Sequence, residues 1–254
     1  EVASQILVGF SGGLDSTVLL KLLCEAVPIE RLCAVHVNHG LSDNADQWQG
    51  HAEAFCGSLG VKLHCETVAV SAGSEAAARE ARYSVFERLL DKGGLVLLGH
   101  HADDQVETVL YRLLRGSGVK GLSGIPATRS IAKGQLIRPL LAWQKSALRT
   151  YADQHKLSWI EDESNGENTF DRNYLRNQVI PEIAARWPDH TQRIGHSARL
   201  SQETAELLAA LAEEDLQRLD PVLERGGWSL CLIAFAALPV ARQKNILRQW
   251  PGVH

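Results

Sequence analysis

Residues 5–16, QILVGFSGGLDS, restrict the possible folds more than any other part of the chain. Residues 6–10 form an apolar run rich in β-formers and predict a buried strand. The run continues into Ser11, Gly12, Gly13, Leu14, Asp15 and Ser16, after which residues 17–23 carry the apolar periodicity of a helix. Paired glycines let the backbone turn sharply and approach a ligand with no Cβ in the way. The helix start that follows offers unbonded N–H groups and a positive dipole end, which together favour an anion such as phosphate. Ser11 and Ser16 add hydroxyl donors, and Asp15 can orient the loop or meet a magnesium ion beside phosphates. The alternative is an ordinary strand–turn–helix corner with Asp15 or Ser16 as N-cap.

Residues 32–37 predict a second strand, ending in Asn38, His39, Gly40, Leu41 and Ser42. Residues 45–59 predict an amphipathic helix with Ala52, Phe55 and Leu59 on one stripe. A third strand is expected over 61–70, and a helix over 74–90 with Ser74 as N-cap. Residues 95–99 are short and wholly apolar, as strands buried on both faces of a parallel sheet are, and a helix over 104–114 follows. Four such alternations imply the α/β class, a doubly wound parallel sheet with right-handed crossovers. Ligands of such sheets sit at the carboxyl ends of the strands, at the switch point. Loops 11–16, 36–42 and 100–107 are therefore expected to converge.

Further along, residues 144–155 and 173–186 read as helices, and residues 159–165 as a polar junction. Residues 191–219 form one long charged helix expected to leave the first domain, with a strand over 228–234 and a last helix over 240–250. The expected organisation is a domain over 1–188, then a linker helix and the start of a small, mostly helical, incomplete second domain over 189–254.

The most ionisable stretch is His100-His101-Ala102-Asp103-Asp104-Gln105-Val106-Glu107. Carboxylates three and four apart at a helix start share one face. They could bind a divalent metal, or one aspartate could be a general base while others hold Mg²⁺ on phosphates. A purely structural reading makes Asp104 the N-cap and Glu107 its N3 partner.

Composition narrows the class. The net charge is −4, yet residues 107–150 hold eight Lys and Arg against a single acid, Glu107. That local excess suits RNA phosphates, with Arg112, Arg115 and Lys120 inside it and Arg172 and Arg176 extending it. Tyr111 and Phe170 are candidate stacking platforms for a splayed base. Five cysteines without a CxxC pair read as buried hydrophobes of a reducing compartment rather than disulfides or a zinc site. No signal peptide or bilayer-length apolar run is visible, so a cytoplasmic protein with no membrane partner is expected. The lack of any methionine suggests a natural N-terminus beyond Glu1.

SGGLDS after a first strand resembles the pyrophosphatase loop of ATP-cleaving, adenylating enzymes, and the lysine of a Walker loop is missing. GHHADDQVETVLYRLLRGSGVKGLSGIP, with HVNHGLS, RPLL, WIEDESN and DRNYLRN in order, resembles the tRNA(Ile)-lysidine synthetase family over roughly residues 11–177. The resemblance implies an adenine nucleotide α-hydrolase-like fold, ATP and Mg²⁺ as cofactors, and tRNA(Ile) with a wobble cytidine and L-lysine as partners. It leaves a homodimer possible. It implies that the cytidine C2 oxygen attacks the α-phosphate, and that the lysine amine then attacks C2 and expels AMP. In those terms Ser11, Gly12, Gly13, Leu14, Asp15 and Ser16 hold the nucleotide, with Arg115 as a further donor. Asp104 is the expected base, Asp103 or Glu107 the partner of the lysine cation, and Asp15 and Asp103 the metal ligands. His36 is expected near the nucleotide, or else as a hydrogen-bonded strand-end histidine. Longer members of the family carry a further tRNA-gripping C-terminal region, of which 189–254 would be the beginning.

Two other readings compete. A tRNA thiolase with the same loop would need a reactive cysteine near the site. A nucleotide sensor without turnover would have no need of Asp15, Asp103 and Asp104 beside phosphates.

Overall fold

The computed structural model describes residues 5–40, 44–68, 75–161 and 171–250. Leu41, Ser42, Ser74, the acidic junction after Glu161, and Phe170 lie outside them. Strands β1 (Ile6–Gly9), β2 (Leu32–Asn38), β3 (Lys62–Thr67) and β4 (Leu95–Leu97) alternate with helices α1 (Leu14–Ala26), α2 (Ala45–Leu59), α3 (Glu75–Leu89) and α4 (Ala102–Leu114). Helix α5 (Val119–Leu122) leads to a hairpin of β5 (Thr128–Ile131) and β6 (Gly134–Ile137), and α6 (Lys145–Gln154) follows. The sheet order is β3-β2-β1-β4-β6-β5, parallel except for β5, which pairs antiparallel with β6.

The α/β class and doubly wound sheet stand. The correction is an antiparallel edge: β5 and β6 join through Ala132 and Lys133, with Ala132 at φ +42°. Alternation along the central strands divides the core. Ile6, Val8, Phe10, Ala34 and Leu97 face α1, α2 and α6, whereas Leu7, Val35, Val96 and Leu136 face α3 through Val85, Phe86 and Leu90. Order reverses between β1 and β4, which makes their carboxyl ends the switch point of the sheet.

Residues 171–186 form one continuous helical stretch with a π-helical turn at its centre, from α7 (Asp171–Tyr174) through Leu175–Val179 to α8 (Ile180–Arg186). Pro181 has no N–H to give the carbonyl four residues back, and its ring crowds that carbonyl, which accounts for the widened turn. Helix α9 (His190–Leu219) packs against α4, α5 and α11 (Val240–Gln249). Between them, β7 (Val222–Glu224) and β8 (Gly227–Ser229) form a hairpin, and α10 (Leu232–Ala236) follows. The strand expected over 228–234 is thus a short strand and then a helix, because the Gly226–Gly227 turn folds it back on residues 222–224. A buried Asp215 paired with Arg242 fixes α11 to α9. No described helix is long and apolar enough to cross a membrane.

Candidate active site

The turn after β1 requires its first glycine. Gly12 adopts φ +84°, and a Cβ there would lie 3.1 Å from Ile160 Cδ1. Its carbonyl accepts the Ile160 N–H at 2.9 Å, which braces the loop from outside. Ser16 ties it from inside: its Oγ accepts the Ser11 N–H at 3.2 Å and donates to the Gly13 carbonyl at 3.0 Å. The helix end itself is left open. Gly13 is the N-cap of α1 and, among the described residues, no side chain caps the first-turn N–H groups. A corner capped by Asp15 or Ser16 is therefore not what the chain builds. Leu14 is buried and anchors the turn in the core.

Gly99, two residues beyond β4, rests against the same helix start, where a Cβ would come 3.0 Å from the Asp15 carbonyl carbon. This close approach carries His101 to Asp15, with Nε2 3.5 Å from Oδ2. His101 is the N-cap of α4. Its Nδ1 accepts the Asp103 N–H at 3.2 Å, and Asp104 Oδ2 accepts the His101 N–H at 2.9 Å. The expected cap is thus displaced by three residues, with His101 in place of Asp104 and Asp104 in place of Glu107. Asp103 Oδ2 accepts the N–H of Lys145 at 2.8 Å and so fixes the start of α6.

Three carboxylates surround one buried imidazole: Asp15 and Asp103 at 3.5 Å and Asp104 at 3.6 Å. Burial opposes a charge on His101, but hydrogen bonding to Asp103 and Asp15 and the charge of Asp104 outweigh it and push its pKa up to about 10. The Asp103 N–H pointing at Nδ1 needs that nitrogen's lone pair, so the first proton sits on Nε2, between Asp15 and Asp104. A second proton would turn Nδ1 from the acceptor of the Asp103 N–H into a donor towards Asp103 Oδ2 at 3.5 Å. The cap thus belongs to the neutral ring, and the upward shift to the pull of the three acids on that proton. Asp104 is raised by burial, which its histidine neighbour does not cancel, whereas Asp103 is lowered because His101 and the Lys145 N–H outweigh its burial.

Glu107 belongs to a different arrangement. It is buried, and its two oxygens accept from Arg176 Nε at 2.5 Å and Nη2 at 2.8 Å. Glu107, expected as a partner of the lysine cation, thus already has Arg176 as a counter-ion, and the Arg176 fork, expected at RNA, points inward to it. Arg112 likewise turns inward, donating to the carbonyls of Gly121 at 3.0 Å and Gly124 at 2.7 Å, and so shapes the glycine-rich loop. Arg115 caps the far end of α4, roughly 16 Å along the helix from Asp104, and is not brought to the phosphate loop. It stacks on Tyr111 at 5.2 Å, with Arg172 also over that ring at 5.6 Å. Lys120 is exposed on α5.

His36 does lie at the converging edge, but its Nδ1 donates to the Phe10 carbonyl at 3.0 Å, joining the ends of β1 and β2. Burial holds its pKa below the usual imidazole value against that bond. Buried polar atoms with no hydrogen-bond partner among the described residues include Asp15 Oδ1, both ring nitrogens of His39, His51 Nε2 and His100 Nδ1. Such atoms are rare in a folded chain and collect where a ligand supplies the partners. His39 lies in the 36–42 loop expected at this edge, whereas the cap role of His101 and the place of His51 go beyond the sequence reading. The only signal was the His100–His101 pair itself.

Among the described residues no three acidic, His or Cys side chains form a metal cage. Mg²⁺ on a nucleotide needs only one or two carboxylates beside the phosphates. Asp15, with a buried oxygen lacking a partner, fits that demand, while Asp103 has one oxygen committed to Lys145. The cysteines are all unpaired, and burial pushes Cys56 up to about 12, leaving an inert thiol.

Residues 1–183 match the family model described as a PP-loop domain. The chain is 44% identical to the tRNA(Ile)-lysidine synthase of Pseudomonas aeruginosa, a match covering 96% of the chain and 58% of that protein. It is 41% identical to that of Coxiella burnetii, over 99% and 56% respectively. The chain thus spans less than two thirds of the length of these relatives. In fold it is similar to the U34-tRNA thiolase NcsA of Methanococcus maripaludis, with TM-score 0.65, 18% identity, and coverage of 78% of this chain and 72% of that one.

Proposed function

The chain belongs to the PP-loop domain family, and we propose that it performs the ATP-dependent step of lysidine formation on tRNA(Ile). The observation that carries this reading is an open helix start whose Asp15 lies 3.5 Å from a histidine shared with two further acids. Negative charge gathers on the phosphates as the cytidine C2 oxygen bonds to the α-phosphorus and the bond to pyrophosphate breaks. The uncapped N–H groups of α1 meet that charge. Mg²⁺, held by Asp15, would neutralise charge on the leaving pyrophosphate. The lysine ammonium then gives a proton to Asp104, whose raised pKa suits a base. The uncharged amine bonds to C2 as the C–O bond to AMP breaks. Asp103 and His101 hold Asp104 and Asp15 in register.

In this reading residues 1–188 are the catalytic part and 189–254 begin an RNA-contacting part, in a cytoplasmic enzyme. A thiolase reading has little support from these thiols, since Cys24, Cys33, Cys56 and Cys65 are all raised by burial. The test is AMP formation from ATP and Mg²⁺ with tRNA(Ile) and lysine each added or withheld. AMP that requires both is expected. AMP formed with sulfide instead of lysine, or no AMP despite ATP binding, would overturn the reading.

A further inference from the structure

Beyond the loops around His101, a second group of polar residues meets at the carboxyl edge, on the face covered by α3. Arg79 of α3 donates Nη2 to the Tyr83 hydroxyl at 3.1 Å and lies 5.0 Å from its ring centroid. Arg129 of β5 lies over the same ring at 4.7 Å. Arg138, the first residue after β6, is 3% exposed; it donates Nη1 to the Pro126 carbonyl at 2.6 Å. Its Nε is buried with no hydrogen-bond partner among the described residues. Among those residues no carboxylate lies within ion-pair distance of these three guanidiniums.

A buried cation normally has a counter-ion, because water no longer solvates it. Here the partners of Arg138 are the Pro126 carbonyl and the Tyr83 hydroxyl, and the formal charges that reach it are those of Arg129 and Arg79. Burial would raise the Tyr83 phenol, yet the charge of Arg79, the Arg129 hydrogen bond and the charge of Arg138 outweigh it and the net shift is downward. Burial followed by Arg138, Arg79 and Arg82 pushes His100 down to about 3. Two guanidiniums from two elements lie over one aromatic ring, and the buried Arg138, whose charge is felt by the same phenol, brings a third to what is arranged as a seat for an anion.

We propose that Arg79 and Arg129 on the Tyr83 ring, with the buried Arg138 beside them, hold a phosphodiester of the RNA strand whose base enters the site. The proposal rests on the lysidine reading for the nature of the substrate. An RNA backbone is favoured over a lone phosphate by what adjoins the seat. Arg79 and Arg129 are exposed, and the charge of Arg79 reaches Arg112, which also feels Arg172. Arg172 in turn shares the Tyr111 ring with Arg115. Positive groups therefore run from the β5 edge across α3 to the end of α4, more than a single phosphate needs.

The test is fluorescence anisotropy of the full chain with a stem–loop RNA carrying a cytidine in its loop, titrated over a range of KCl. Arg79→Gln with Arg129→Gln should weaken binding and lower the slope of log K against log salt by about 0.7–0.9 for each phosphate no longer neutralised. ATP affinity should stay within about twofold, and Arg129→Lys alone, which keeps the charge, should keep the wild-type slope. Unchanged affinity and slope in the double variant would overturn the seat while leaving the AMP assay, and so the lysidine reading, untouched. Unchanged RNA binding with weaker inhibition by inorganic pyrophosphate would also overturn it, by assigning the arginines to the released product. A wild-type protein that binds no RNA would overturn both.

Discussion

Helices α1 and α4 both begin at the carboxyl edge of the sheet, within a side chain's reach of each other, and their first turns are finished in opposite ways. α1 starts at Gly13 with no cap, while α4 has a complete capping box of His101 and Asp104. The uncapped end keeps donors for an anion from outside. The capped end keeps carboxylates for a proton or a cation. In the reaction proposed above, these two helix starts are the two poles of one site, joined by the 3.5 Å approach of His101 to Asp15.

The largest effect should come from removing the basic pole without disturbing its cap. In Asp104→Asn the amide oxygen still accepts the His101 N–H, so melting should barely move. Single-turnover AMP formation should fall by about 10²- to 10⁴-fold. A variant with near-normal turnover would move the base elsewhere. Next is Glu107→Gln, which removes the negative charge that the Arg176 fork grips. Loss of a buried pair costs about 3–5 kcal/mol; with the Arg176 side chain 34% exposed, about 2–3 kcal/mol is expected in urea unfolding. AMP formation well below the melt should remain within about threefold of wild type. A much larger loss of rate at full stability would return Glu107 to the chemistry.

The smallest and most direct comparison gives α1 the cap that α4 has. Gly13 has φ −75° and ψ 167°, open to any residue, and its Cβ would meet nothing closer than 3.5 Å. Gly13→Asp should raise stability by only a few tenths of a kcal/mol. Its carboxylate should also take the donors that the phosphates need, weakening ATP binding by about tenfold, or about 1.4 kcal/mol, in calorimetry. Unchanged ATP affinity would mean that this helix start is not the anion pole.

Much of this arrangement was readable from residue order. The apolar strands and the Gly-rich turn settle the sheet, and a parallel sheet then brings loops after β1, β2 and β4 together. The edge hairpin was not readable, since β5 is exposed at three of its four positions and shows no core-facing period. The cap was misplaced because histidine is not among the usual N-cap residues, though its Nδ1 serves. The inward turn of Arg176 and the gathering of Arg79 with Arg129 and Arg138 were equally hidden. Those contacts join residues far apart in sequence, and charge counted along a chain does not show which way a guanidinium faces.

Gly99 has a mechanical meaning. With a Cβ position only 3.0 Å from the Asp15 backbone, the strand that delivers His101 and the loop that receives phosphates share one contact surface, without a cushion of side chains. A displacement of one is a displacement of the other, and Asp103 passes it on to α6 through the Lys145 N–H. In the proposed reaction, a nucleotide entering the loop would therefore be felt rigidly by the acids, and the proposed base would be aligned by the same event.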